Sequence, residues 1–173
     1  KQFAFRDIDN IPEERSFGWV NFDDMLDTEW TISGPEKGAY LTFSLRLDTR
    51  RISPAVLRKH TLLALREEER QSKEDGKNFV SRLRKKEIKE SVRAKLMARS
   101  LPIPAEFNVI WDTLQGTVIL ASTHGKVIEM FCNHFQASFE LGLEQITPYT
   151  LATRLLGEEV GVKLDALTPT VFA

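Results

Sequence analysis

Cysteine is nearly missing from this chain of 173 residues: Cys132 is the only one. An intramolecular disulfide is excluded, and the composition fits a reducing compartment. Histidine is scarce as well, with His60, His124 and His134 only. Cys132 and His134 stand two apart and diverge on a helix, and no CxxC, HxxxH or clustered carboxylates with ligand spacing occur. No metal and no cofactor is therefore expected; Gly142, Gly157 and Gly161 make no phosphate-binding loop. No apolar run approaches the roughly 20 residues that span a bilayer. No basic-then-apolar leader is seen, so a cytoplasmic location without membrane contact is expected. The chain opens on Lys1, and what precedes it is left open.

What the chain has is a charge asymmetry hidden under a net charge of −1. Between Arg46 and Arg99 lie 17 of the 24 Lys/Arg and 8 of the 25 Asp/Glu, which leaves 7 basic and 17 acidic residues elsewhere. A cationic middle between acidic ends suits a polyanion, of which nucleic acid is the commonest. It also suits self-association, basic middle against acidic end.

The stretch Asn78 to Arg99 carries most of that middle. It has no proline or glycine and reads as one helix of about six turns. Arg82, Lys85, Lys86, Lys89 and Arg93 recur at i, i+3, i+4, i+7 and i+11, within roughly 100° of arc. Ile88, Val92 and Leu96 form an apolar line beside them. The plainer alternative is a solvated face, with Glu90 four residues after Lys86.

The remaining elements follow from period and punctuation. Phe3 and Phe5 are expected in a packed element whose partner lies before residue 1. Ser16 to Val20 reads as a strand in which Gly18 marks a bulge or close backbone approach, with Trp19 in the core. Thr28 to Ile32 alternates and reads as a strand. Ala39 to Arg51 has the cleanest alternation and reads as a strand with one buried face. Ser53-Pro54 starts a helix to about Lys73. That helix and the basic one make a hairpin standing out as an arm, at about residues 53–99. Phe107 to Trp111 and Thr117 to Ala121 form a strand hairpin around Asp112–Gly116. A helix is expected from His124 to Phe139, a short strand from Leu143 to Ile146, and a short helix or turn from Thr147 to Leu156. Residues 157–173 show no period and read as a tail. The fold class is α+β: one domain over residues 1–156, a mostly antiparallel sheet with helices on one face and a protruding two-helix arm.

Chemistry in the sequence is thin. Asp112 ends a strand and is the one suggestive carboxylate for a metal-dependent nuclease, yet a hairpin turn explains it more simply. Cys132 lies in an apolar helix, the usual place of an inert thiol. That leaves Arg50 and Arg51, placed to join the Arg82–Arg93 stripe in one phosphate-binding surface that does not read bases.

Lys85-Lys86-Glu87-Ile88-Lys89-Glu90-Ser91-Val92, followed by Leu96-Met97-Ala98-Arg99-Ser100-Leu101, resembles the recombination-associated protein RdgC family. That family has a K-E-x-K-E-x-V helix leading into L-L-P-R-A-F. Ile110-Trp111-Asp112-Thr113-Leu114-Gln115-Gly116 is similar to its W-I-D-T-x-x-G hairpin, and Gly18-Trp19-Val20 to its G-W-V. Arg51-Ile52-Ser53-Pro54-Ala55-Val56 stands where the family has K-x-L-P-x-x-V. Ala98 and Leu101 depart from the family's Pro and Phe. The likeness spans roughly residues 16–150. It implies a non-enzymatic, sequence-independent double-stranded DNA binder that closes as a dimeric ring and restrains the strand-exchange recombinase in the nucleoid. Lys85, Lys86, Lys89 and Arg99 would line or flank the DNA channel. Some family members carry an exonuclease label, for which no motif is present here. The full set expected at DNA is Arg50, Arg51, Arg82, Lys85, Lys86, Lys89, Arg93 and Arg99. Two alternatives stand beside it: a protein-interaction or self-association module using the basic arm, and an exonuclease.

Overall fold

The alternating run that begins at Tyr40 becomes the middle of an antiparallel sheet in the computed structural model, which describes residues 2–74 and 80–168. The strands are β1 (Arg15–Val20), β2 (Glu36–Lys37), β3 (Tyr40–Thr49), β4 (Ile103–Asp112) and β5 (Thr117–Leu120). Their order is β1-β3-β4-β5, with β2 paired to one end of β3. The helices are α1 (Pro54–Glu74), α2 (Arg82–Arg99), α3 (Gly125–Phe139), α4 (Pro148–Leu156) and α5 (Glu159–Asp165). The expected α+β class is found. Two compact units are present, Lys1–Ile128 and Glu129–Ala173. Among the described residues no helix is long and apolar enough to cross a membrane.

In the first unit the register puts Phe17, Trp19, Phe43, Leu45, Phe107 and Val109 on one side of the sheet, since Trp19 faces Leu45 and Leu45 faces Phe107. Trp19 and Phe43 meet edge-to-face at 5.0 Å between ring centroids. The other side of β3 was expected to be wet. It is buried instead: Thr42, Ser44, Arg46 and Asp48 are all covered. At Arg46 the cover comes from the N-terminal segment, which pairs with β1. Trp19 donates its N–H to Phe3 O, and Phe5 donates to Trp19 O, each at 3.0 Å. Phe5 then lies over β1, with its ring 4.2 Å from the Arg46 guanidinium. A Cβ on Gly18 would sit 2.5 Å from the Phe5 backbone, so the close approach expected at Gly18 is real.

Arg46 keeps its charge in this setting through a two-pronged ion pair. Its Nε and Nη2 donate to the two Asp48 oxygens, each at 2.8 Å. Hydrogen bonding to Asp48 raises the Arg46 pKa further, against the opposing effect of burial. Arg46 Nη1 also donates to Met25 O at 3.2 Å.

The strand expected at Thr28–Ile32 does not form. Asp27, itself buried, takes the N–H groups of Glu29, Thr31 and Ile32, each at 3.1 Å, and the amide of Asn21 at 3.0 Å. A carboxylate replaces the neighbouring strand as acceptor, and Trp30 is turned into the left-handed region at φ 61°. Burial pushes the Asp27 carboxyl up, but these donors overcome it and hold it down at about 2.

The helical hairpin is an insertion between paired strands. Thr49 at the end of β3 faces Ile103 at the start of β4, so the chain leaves the sheet and re-enters it at neighbouring positions. α1 spans about 31 Å at 1.5 Å per residue and has no buried side chain. It lies against α2. α2 begins at Arg82 rather than Asn78; Asn78 and Phe79 lie outside the described residues. β4 runs through Pro104, where no β5 residue is alongside and the missing N–H costs nothing to the ladder.

The second unit is helical. Phe135 is buried with ring neighbours Phe131 at 5.7 Å and Phe139 at 4.6 Å. The short strand expected at Leu143–Ile146 is absent; those residues are unpaired chain leading to Thr147. Thr147 and Thr150 cap α4 reciprocally, Thr150 N to Thr147 Oγ1 at 3.1 Å and Thr147 N to Thr150 Oγ1 at 2.7 Å. Beyond Gly157, where no period predicts structure, the chain forms α5. Gly161 lets α5 approach α4 closely, since a Cβ there would lie 3.0 Å from the Tyr149 hydroxyl.

Candidate nucleic-acid interface

Two serines bracket the basic helix. Ser81 Oγ accepts the Arg84 N–H at 3.2 Å as N-cap, and Ser100 closes the far end with its N–H and Oγ both on Met97 O, at 3.2 and 2.9 Å. Ile88 is buried and Val92 and Leu96, one and two turns on, are half-buried, so this apolar line fixes the rotation of α2; Met97, on the other side, is buried in its last turn. Arg84 ties it to α1, donating to Glu68 at 2.7 and 3.1 Å and to Glu87 at 3.2 Å. Its pKa is raised, first by the hydrogen bonds to Glu68.

With that rotation set, Arg82, Lys85, Lys86, Lys89 and Arg93 share one exposed face. They cover about 16 Å of helix axis at 1.5 Å per residue. Arg93 reaches Glu14, at 3.2 and 3.4 Å, and Lys86 stands 3.9 Å from Glu90. Among the described residues no carboxylate is within ion-pair distance of Arg82, Lys85 or Lys89. The same is true of Arg51 and Arg99, both exposed. Arg99 lies outside the arc of the stripe at 100° per residue and in the last turn, where a cation complements the helix dipole.

Arg50 is a correction. It was expected on the phosphate-binding surface, yet it is 5% exposed. Its Nη1 donates to Met97 O at 3.2 Å, and its Nη2 to Asp9 O at 2.9 Å and to Ile8 O. Three carbonyls from the N-terminal segment and the end of α2 take its two Nη groups, and its Nε is buried without a partner, so the guanidinium is not presented to a ligand on the surface. The neighbouring Arg51 is the exposed one of the pair.

Arg58 escaped the sequence reading. It lines a groove of about 370 Å³ with Pro54, Leu57, Thr61 and Leu62 of α1 and Lys89 of α2. Its signal was its place on α1 four residues after Pro54, next to Lys59 and one residue after the apolar Leu57.

Asp112 sits in the β4–β5 turn with Oδ1 accepting the N–H groups of Leu114 at 3.0 Å and Gln115 at 2.9 Å. Cys132 lies half-buried on α3. Among the described residues no group of three or more His, Cys, Asp or Glu is placed to hold a metal ion. The chemistry available to the α2 face is thus cationic: attraction of an extended polyanion, with no base-reading device. No protein-family model matches the chain, and no curated protein sequence matches it.

Proposed function

We propose that this chain binds double-stranded DNA without sequence preference, through the exposed face of α2, and does so by holding the duplex rather than by catalysis. The observation that carries this is a single helical face with five cations, three of which have no carboxylate partner among the described residues. Cations left free in the folded protein can neutralise phosphates and release their counterions. The RdgC-like motifs at residues 85–92 and 110–116 support the same reading and extend it to a clamp or ring of two copies in the nucleoid, with the strand-exchange recombinase as a further partner.

Binding to random duplex at several salt concentrations is the test. If five phosphates are engaged, the log–log slope is roughly −4.5; reversing Lys85, Lys86 and Lys89 to Glu removes about 2.7 of it. Equal affinity for the triple variant and the unaltered chain would overturn the proposal. A second reading is favoured by the Arg93–Glu14 pair, in which the basic face already takes a carboxylate from an acidic segment. It is an acidic protein partner, or a second copy. Size-exclusion chromatography with and without duplex separates the two: association without DNA, abolished by salt, belongs to the second.

A further inference from the structure

The groove between α1 and α2 opens beside the basic face rather than away from it. Lys89 belongs to both: it is one of the five stripe cations and one wall of the groove. Arg58 of α1 lines it too, and Leu57, Leu62 and Pro54 supply an apolar lining. Leu62 is 48% exposed, an aliphatic side chain that α1 does not bury. A volume of about 370 Å³ lies in the range of small-ligand clefts, about 300–1,000 Å³, and cannot admit a duplex.

Two cations over an apolar lining match a ligand with an anionic end and a flat apolar body. A nucleotide that has left its base stack is such a ligand. Its phosphate would meet Lys89 and Arg58, and its base would leave water against Leu57 and Leu62. A base already stacked in a duplex has no such surface to offer, because both its faces are covered.

We infer that the α1–α2 groove takes one unpaired nucleotide, so that this protein grips DNA more tightly at gaps, bulges or single-stranded stretches than along intact duplex. The inference rests on the proposal that α2 is the DNA-contacting face, and adds to it a preference for strand state. Unstacked bases held on a protein surface contribute enough that a preference of about tenfold is expected.

The test measures fluorescence anisotropy of the full chain with a labelled random duplex and with the same duplex carrying a run of unpaired thymidines. Leu62→Gln is the variant, chosen because Leu62 is half exposed and its replacement leaves charge unchanged; circular dichroism confirms its fold. The expected result is about tenfold tighter binding to the gapped duplex, with that ratio falling to near one in Leu62→Gln while intact-duplex affinity is retained. A ratio near one in the unaltered chain, with strong duplex binding, overturns the groove and leaves the α2 proposal standing. So does a full ratio in Leu62→Gln. Binding to neither DNA overturns both. Tight binding to an acidic peptide that neither DNA displaces overturns the nucleotide in favour of a protein partner.

Discussion

Arg46 and Arg82 are the same side chain held under opposite conditions. Arg46 lies inside the sheet's polar side at 7% exposure, gripped along the Nε–Nη2 edge of its guanidinium by Asp48 and faced by the Phe5 ring. Arg82 lies on α2 in water, with no carboxylate near it among the described residues. A buried charge persists only with a partner, because desolvation would otherwise cost more than folding supplies. An exposed charge needs no partner and does little for stability. The first kind of cation belongs to the fold; the second is available to something outside it.

That contrast can be broken at several points. Asp48→Ala leaves Arg46 buried without its carboxylate and should cost about 3–5 kcal/mol, read from urea or thermal unfolding. A loss below about 1 kcal/mol would mean that the pair is not desolvated. Reversing Lys85, Lys86 and Lys89 should do the opposite. Stability should move by no more than about 0.5 kcal/mol per site, while duplex affinity at low salt falls by orders of magnitude.

Asp27 tests the same distinction through pH. Its carboxyl ionises at about 2 in the folded chain, against 3.8 ordinarily. Its contribution is therefore complete above the unfolded value and is lost as pH falls through about 2. Asp27→Asn should lower stability near neutrality and flatten the acid limb of the stability profile between about pH 4 and 2. An unchanged acid limb would show that the loop keeps its shape without the charge. The smallest effect is expected at Glu14→Gln. The exposed pair with Arg93 contributes less than about 1 kcal/mol, and its removal should free Arg93 and steepen the salt dependence of DNA binding by about 0.9.

Much of the architecture was legible because it depends on local rules. The alternation at Tyr40–Thr49, Ser53-Pro54 before α1 and the Asp112–Gly116 turn each state their structure within a few residues. The misses share a physical cause. At Thr28–Ile32 the alternation was present, but the Asp27 side chain outcompeted a strand for the backbone donors. On β3 the residues Thr42, Ser44, Arg46 and Asp48 looked like a solvent face; they are buried by segments distant in sequence, with Phe5 lying against Arg46 and Pro35 bonded to Thr42. Arg50 and Arg51 are adjacent and identical in type, yet one is consumed by distant carbonyls and the other is not. Periodicity on α2 located the exposed cations, whereas the groove needed the position of α1 against Lys89, which no single stretch encodes.

The Arg50 guanidinium also has a mechanical meaning. It joins β3, the Ile8–Asp9 backbone and the last turn of α2 through directional bonds at the root of the arm. An apolar contact there would let one surface slide over the other under load; a forked donor set on carbonyls resists shear. A pull on the arm would reach the sheet through these bonds rather than be absorbed as slippage at its base.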